Sequence, residues 1–183
     1  ARKFLDHIMA GKLPKPGRIS LTPMLSYRGK LYGDLTVACF DENEFMVFGS
    51  GAAQEMHRRW FESHINKFNL TYKNRSDEFH GLSIAGPNSR ELLQKITRDD
   101  VSNSKFKFRD SNHMFVGGVP ALVNRISFTG ELGYEIYVAP HFQLKLYEEI
   151  MDAGKEFNIK PFGGRALMSM RLEKNWGAWT LDY

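Results

Sequence analysis

Residues 29–68 read GKLYGDLTVACFDENEFMVFGSGAAQEMHRRWFESHINKF, and the apolar period changes within them. From Leu31 to Phe40, and again from Glu44 to Phe48, the chain is β-rich, and Gly49-Ser50-Gly51 ends the second run. From Ala52 to Phe68 the apolar residues shift to helical spacing. Met56 and Trp60 lie four apart, as do Phe61 and Ile65, and Phe68 follows, with Glu55, Arg58, Arg59 and Glu62 on the polar side. Upstream, Ile19 to Leu25 reads as a strand joined to the next through Arg28-Gly29-Lys30, a natural hairpin. Residues 3–10 read as the end of a helix stopped by Gly11, Pro14 and Pro16. With Leu70 to Arg75 as a further strand, the first 75 residues predict β-β-β-α-β.

A second unit follows. His80 to Ala85 reads as a strand, and Gly86-Pro87 opens a helix with Leu92, Leu93 and Ile96 on its apolar face. Phe115 to Arg125 holds two strand-like runs around Gly117-Gly118. In Gly133 to Ala139, Tyr134, Ile136 and Val138 alternate against Glu135 and Tyr137. Pro140 opens a helix lined by Phe142, Leu146, Tyr147, Ile150 and Met151, and Phe162 to Asn175 reads as another. The order predicts an α+β fold of two lobes, not the strand–helix alternation of a parallel sheet.

Composition removes several function classes. The 183 residues carry a net charge of +4, and their Lys and Arg are scattered with no run of four. A nucleic-acid stripe is therefore not expected. No stretch of 18 apolar residues occurs, so no membrane span is expected. The single Cys39 excludes an intrachain disulfide, and its apolar strand makes it an inert core thiol. The lone Gly49-Ser50-Gly51 lacks a third glycine, and no GKS or GKT occurs, so a nucleotide fold is unsupported. The six histidines form no H-E-x-x-H, so no metal site is expected; His57 and His64, seven apart, read as surface residues of one helix.

Three local patterns carry possible chemistry. Asp34 interrupts an apolar strand, where a carboxylate is costly unless hydrogen-bonded or used; alternation puts it with Tyr32 and Thr36, on the face opposite Leu35 and Val37. A solvent-facing Asp and a functional one are both open. Glu135 emerges after a turn bracketed by Gly130 and Gly133, among Phe128, Tyr134 and Tyr137. A carboxylate beside aromatic rings suits a flat heterocycle that offers two N–H groups, with rings stacking on its faces; a surface cross-strand Glu is the alternative. Arg165 stands eight residues before Glu173 on the last helix, as a fork for a ligand carboxylate or as half of a structural ion pair.

Together and in this order, the patterns resemble the folate-binding aminomethyltransferases, the T-protein family of glycine cleavage, in the branch fused to dimethylglycine and sarcosine dehydrogenases. The segments that carry the resemblance are PGRISLTPMLSYRGKLYGDLTV, LSIAGPNSRELLQKIT, RISFTGELGYEIYV and GGRALMSMRLEKNWGAW, which reach from Pro16 to Trp179.

The resemblance implies a three-lobed fold around tetrahydrofolate. Residues 1–76 plus 161–183 would form the first lobe and 77–160 the second. The C-terminal β-barrel lobe and a flavin domain would lie outside this chain, which is read as a fragment. FAD is expected only in that absent domain. Asp34 is implied as the catalytic group beside the reacting folate nitrogens. Glu135, Phe128, Tyr134 and Arg165 are implied as cofactor-binding residues; Phe128 stands where many T-proteins have Tyr. The implied activity is capture of the carbon of oxidised N-methyl amines as 5,10-methylenetetrahydrofolate, with the isolated piece lacking turnover. A stand-alone glycine-cleavage aminomethyltransferase and a non-catalytic folate-binding or scaffold module are the alternatives. The implied partners are reduced folate and a flavin-containing oxidoreductase domain of the same polypeptide, with no nucleic acid and no membrane. The implied compartment is the bacterial cytoplasm or the mitochondrial matrix.

Overall fold

A computed structural model describes residues 1–179 and 181–182. The chain forms two compact units, one made of Ala1–Asn74 with the chain from Ala178 onward, the other of Arg75–Gly177.

The first unit opens with α1 (Arg2–Ile8), which buries Phe4, Leu5 and Ile8. An antiparallel meander follows, β1 (Arg18–Leu25), β2 (Leu31–Cys39) and β3 (Phe45–Phe48), with β2 in the centre. Gly29, at φ +70°, closes the β1–β2 turn by donating to the Ser26 carbonyl at 2.9 Å. Pro23 pairs with Asp34 and is tolerated because β1 is an edge strand. A single 3-10 turn, Gly51–Ala53, leads into α2 (Gln54–Ile65). On its outer face Arg58 bridges Glu55 and Glu62. Its inner face joins a core of Phe4, Leu5, Ile8, Met24, Leu35, Val37 and Phe61. Gly11 is required by close approach: its N–H donates to Thr22 Oγ1 at 2.9 Å, and a Cβ there would lie 2.2 Å from that oxygen.

The second unit is a four-stranded antiparallel sheet, β4 (His80–Ala85), β5 (Ser111–Val116), β6 (Val119–Asn124) and β7 (Gly133–Val138), in the order β4-β7-β6-β5. Gly117 and Gly118, both at positive φ, turn the β5–β6 hairpin. Helices α3 (Ser89–Ile96) and α4 (Gln143–Gly154) pack together, burying Leu92, Leu93, Leu146 and Ile150 with Val123, Tyr134, Ile136 and Val138 of the sheet. A last helix, α5 (Gly164–Glu173), follows.

The expected α+β architecture is present, with four differences. Leu70 to Arg75 is irregular and from Thr71 onward exposed, because β propensity makes no strand without a partner edge. The strand expected from Phe115 starts at Ser111. Tyr147 faces solvent, since the apolar stripe of α4 runs through Leu146 and Ile150. Residues 161–177, expected with the first lobe, belong to the second unit. There Lys174 pairs with Glu131 at 2.6 Å, and buried Arg171 donates to the Trp176 carbonyl at 2.7 Å. Within the expected return, Thr180 and Tyr183 lie outside the described residues.

Candidate functional site

In the first unit, Asp34 sits mid-strand on β2, half-buried, and makes no hydrogen bond with a described residue. Leu35 and Val37 turn into the core, so the period-two alternation holds Asp34, Tyr32 and Thr36 on the other face. Burial pushes the Asp34 carboxyl up from its ordinary range, and the nearby His57 ring pulls it back down when charged.

His57 comes from α2 and is buried, which overturns its reading as a surface residue; His64 is buried too. The two share a helix face, as their spacing requires, but it is the inner face. His57 Nε2–H donates to the Tyr32 carbonyl at 3.3 Å, and Trp179 stacks on the ring at 5.3 Å. Two glycines admit the ring. A Cβ on Gly33 would lie 2.6 Å from Nε2, and one on Gly49 would lie 3.2 Å from Nδ1. Burial pushes the imidazole pKa down, opposed by the Tyr32 hydrogen bond and by Asp34, so the ring is neutral near pH 7. His64 is held by the Tyr27 hydroxyl at 2.6 Å and the Trp60 carbonyl at 2.8 Å.

In the second unit, Glu135 lies on the sheet face turned away from the core. Ser83 on β4 and Asn124 on β6 pair with it, and Ser111 on β5 completes a polar row across all four strands. Tyr137, two residues along β7, shares the face and donates its hydroxyl to Glu135 Oε2 at 2.8 Å. The Tyr137 ring lies over Gly81, where a Cβ would meet it at 3.1 Å. Asn124 is fully buried: its Oδ1 accepts from Ser111 at 2.7 Å, and its Nδ2 has no partner among the described residues. Burial pushes the Glu135 carboxyl up, with only the Tyr137 hydrogen bond opposing it. The Tyr137 phenol is itself pushed up, first by burial and then by the adjacent carboxylate.

The other expected site residues divide. Tyr134 is fully buried on the core face, stacked on Phe106 at 5.9 Å and bonded by Arg90 Nε at 3.3 Å. It therefore cannot stack on a ligand held by Glu135, because neighbours along a strand point to opposite faces. Phe128 is half-buried in the irregular segment between β6 and β7. Arg165 is exposed in the first turn of α5, with no ion pair to Glu173 among the described residues. Sequence reasoning had Tyr137 only as one of the rings around Glu135 and missed its hydrogen bond to the carboxylate, although alternation puts the two on one face. It also missed Gly81, Asn124 and His57, whose parts depend on partners far along the chain. Among the described residues no three His, Cys, Asp or Glu side chains group as metal ligands. Cys39 is buried, and burial raises its thiol. No helix among the described residues is long and apolar enough to cross a membrane.

The arrangement offers in one unit a half-buried carboxylate raised by burial, chemically able to exchange a proton. In the other it offers a half-buried carboxylate, braced by a phenol, with capacity to accept N–H groups. Against known proteins, the family model of the GCVT N-terminal domain matches residues 1–183. Mitochondrial dimethylglycine dehydrogenase of Homo sapiens is 39% identical over 183 residues, 98% of this chain and 21% of that protein. An aminomethyltransferase of Thermoanaerobacter pseudethanolicus is 32% identical over 175 residues, 94% of this chain and 47% of the relative. The crystal structure of the glycine cleavage system aminomethyltransferase T from Bartonella henselae superposes with a TM-score of 0.79 at 19% identity, over 96% of this chain and 46% of that one. The chain thus spans about a fifth to about half of the length of these relatives.

Proposed function

The chain belongs to the GCVT N-terminal domain family, and on that footing we propose that it is the reduced-folate-binding part of a one-carbon transfer enzyme. The observation that carries the proposal is Glu135. It is a carboxylate lifted by burial, with no cation acting on it, one oxygen held by Tyr137 and the other without a partner among the described residues. A half-buried carboxylate with open acceptor capacity calls for donors. The 2-amino-4-oxo edge of a pterin supplies two parallel N–H groups that fit it.

Tetrahydrofolate, when bound, supplies the nucleophilic nitrogens that accept a one-carbon unit. The chain's own residues do the rest. Glu135 orients the heterocycle through its N–H edge, and orientation of this kind is the larger part of a transfer between two bound groups. Asp34, without a hydrogen bond among the described residues and lifted by burial, takes a proton from an ammonium nitrogen or stabilises its positive charge. The neutral His57 ring holds the Tyr32–Asp34 stretch of β2 in place from behind. Phe128 offers an apolar surface, and the exposed Arg165 guanidinium is available to a ligand carboxylate.

The higher identity to dimethylglycine dehydrogenase favours an oxidised N-methyl amine as the carbon source, delivered by a flavin-containing oxidoreductase part of the same polypeptide. The likeness to aminomethyltransferases supports the second reading, a glycine-cleavage enzyme. Titration with 5-formyltetrahydrofolate, followed by calorimetry and by the fluorescence of Trp60, Trp176 and Trp179, tests the folate reading. Saturable binding is expected, weakened about 100-fold in Glu135→Ala, the size of two lost hydrogen bonds to a charged group. Binding that Glu135→Ala leaves intact overturns it.

A further inference from the structure

Glu135 is the only carboxylate in the polar row of the second sheet, and only one side chain among the described residues is bonded to it. The groups that face it from the flanking strands are uncharged: Ser83 and Gly81 on β4, Asn124 and Leu122 on β6. The titratable side chain of β5 on this face is His113, two strands away and exposed. Arg125 follows Asn124, but its guanidinium turns aside to the Phe106 carbonyl at 2.5 Å. Among the described residues no cation fixes the carboxylate or its charge, so that work falls to the Tyr137 hydroxyl.

Tyr137 is built for it. Its ring is pinned over Gly81, close enough that a single added methyl group would press on it at 3.1 Å, and its hydroxyl reaches back along the strand to Oε2. A phenol donates a hydrogen bond to an ionised carboxylate and favours that form. By occupying Oε2, it leaves the other oxygen as the one with open acceptor capacity.

We propose that Tyr137 is a positioning residue that aims the Glu135 carboxylate at the donor edge of the ligand and sets the pH below which the site stops capturing it. This rests on the folate reading above. The sign follows from the direction of the bond. Donors on the ligand require ionised Glu135, and loss of the phenol hydroxyl moves its protonation to higher pH.

The experiment is a titration of the chain with 5-formyltetrahydrofolate from pH 5 to pH 8, in the native protein, Tyr137→Phe, Gly81→Ala and Glu135→Gln. The ligand's own ionisations are common to all four and cancel in the comparison. Tyr137→Phe is expected to move the acid limb of affinity upward by about one pH unit, the size of one lost hydrogen bond to a charged group. Its affinity at pH 8 should stay within about threefold of native. Gly81→Ala, which tilts the ring without removing the hydroxyl, is expected to move the limb the same way by less. Glu135→Gln is expected to bind weakly with no acid limb. A Tyr137→Phe limb coincident with native, or an affinity lowered equally at every pH, overturns the role of Tyr137 and leaves the folate reading standing. Native protein that binds nothing at any pH overturns both.

Discussion

Each of the two units presents a half-buried carboxylate on the outer face of an antiparallel strand, yet the two are held differently. Asp34 has no hydrogen-bond donor of its own among the described residues, and an imidazole lies behind its strand, braced by Gly33, Gly49 and Trp179. Glu135 has a phenol bonded directly to one oxygen and uncharged neighbours on both sides. Burial lifts both groups. What opposes the lift is a charge that comes and goes with pH for Asp34 and a permanent hydrogen bond for Glu135. The first arrangement suits a group whose proton moves, the second a group that must stay an acceptor.

The sharpest way to break this contrast lies within β7. Tyr134 and Glu135 are adjacent but face opposite sides. Tyr134→Ala should destabilise the protein by about 4 kcal/mol in urea unfolding, the cost of emptying a core aromatic. Glu135→Ala should leave that transition nearly unmoved while weakening folate binding. A small cost for Tyr134→Ala would show that the ring is not core.

Next in size is the division of labour between the carboxylates. In the full-length protein, Asp34→Asn should slow carbon transfer about 100-fold, as removal of an acid–base group does, with folate affinity within about threefold of native. Equal losses in rate and affinity would make Asp34 a second binding residue, and the contrast would collapse.

The smallest effect is the pH dependence of stability. His57 is lowered in the folded state, so the unfolded chain binds the extra proton below the ordinary value of 6.5, and stability falls as pH drops through that range. Glu135 is raised, so the folded chain binds the extra proton, and its contribution is lost as pH rises from 4.5 through the folded value. Asp34, also raised, slopes the same way as Glu135. Denaturant unfolding across pH 4 to 8 should therefore show His57→Phe losing the acid-side decline and Glu135→Gln gaining stability at pH 7 but not at pH 4. Glu135→Gln equally stable with native at pH 7 would remove the burial cost on which its binding role rests.

Local pattern carried much of this. The change of period between Phe48 and Gln54 placed the β3–α2 junction, the paired glycines placed the β5–β6 turn, and alternation separated Asp34 from Leu35 and Glu135 from its neighbours. Each of these is a property of a few consecutive residues, and chain geometry alone enforces it. Four linked motifs across the chain were enough to point to the family. The tertiary structure decided what pairs with what. It turned Tyr134 into the core, left Leu70 to Arg75 without a ladder partner, and grouped residues 161–177 with the second unit. It also buried His57 against two glycines far apart along the chain, Gly33 on β2 and Gly49 just past the end of β3. None of these follows from spacing, because the free energy of a buried histidine or an open carboxylate is set by groups distant in sequence, and only the folded chain brings them together.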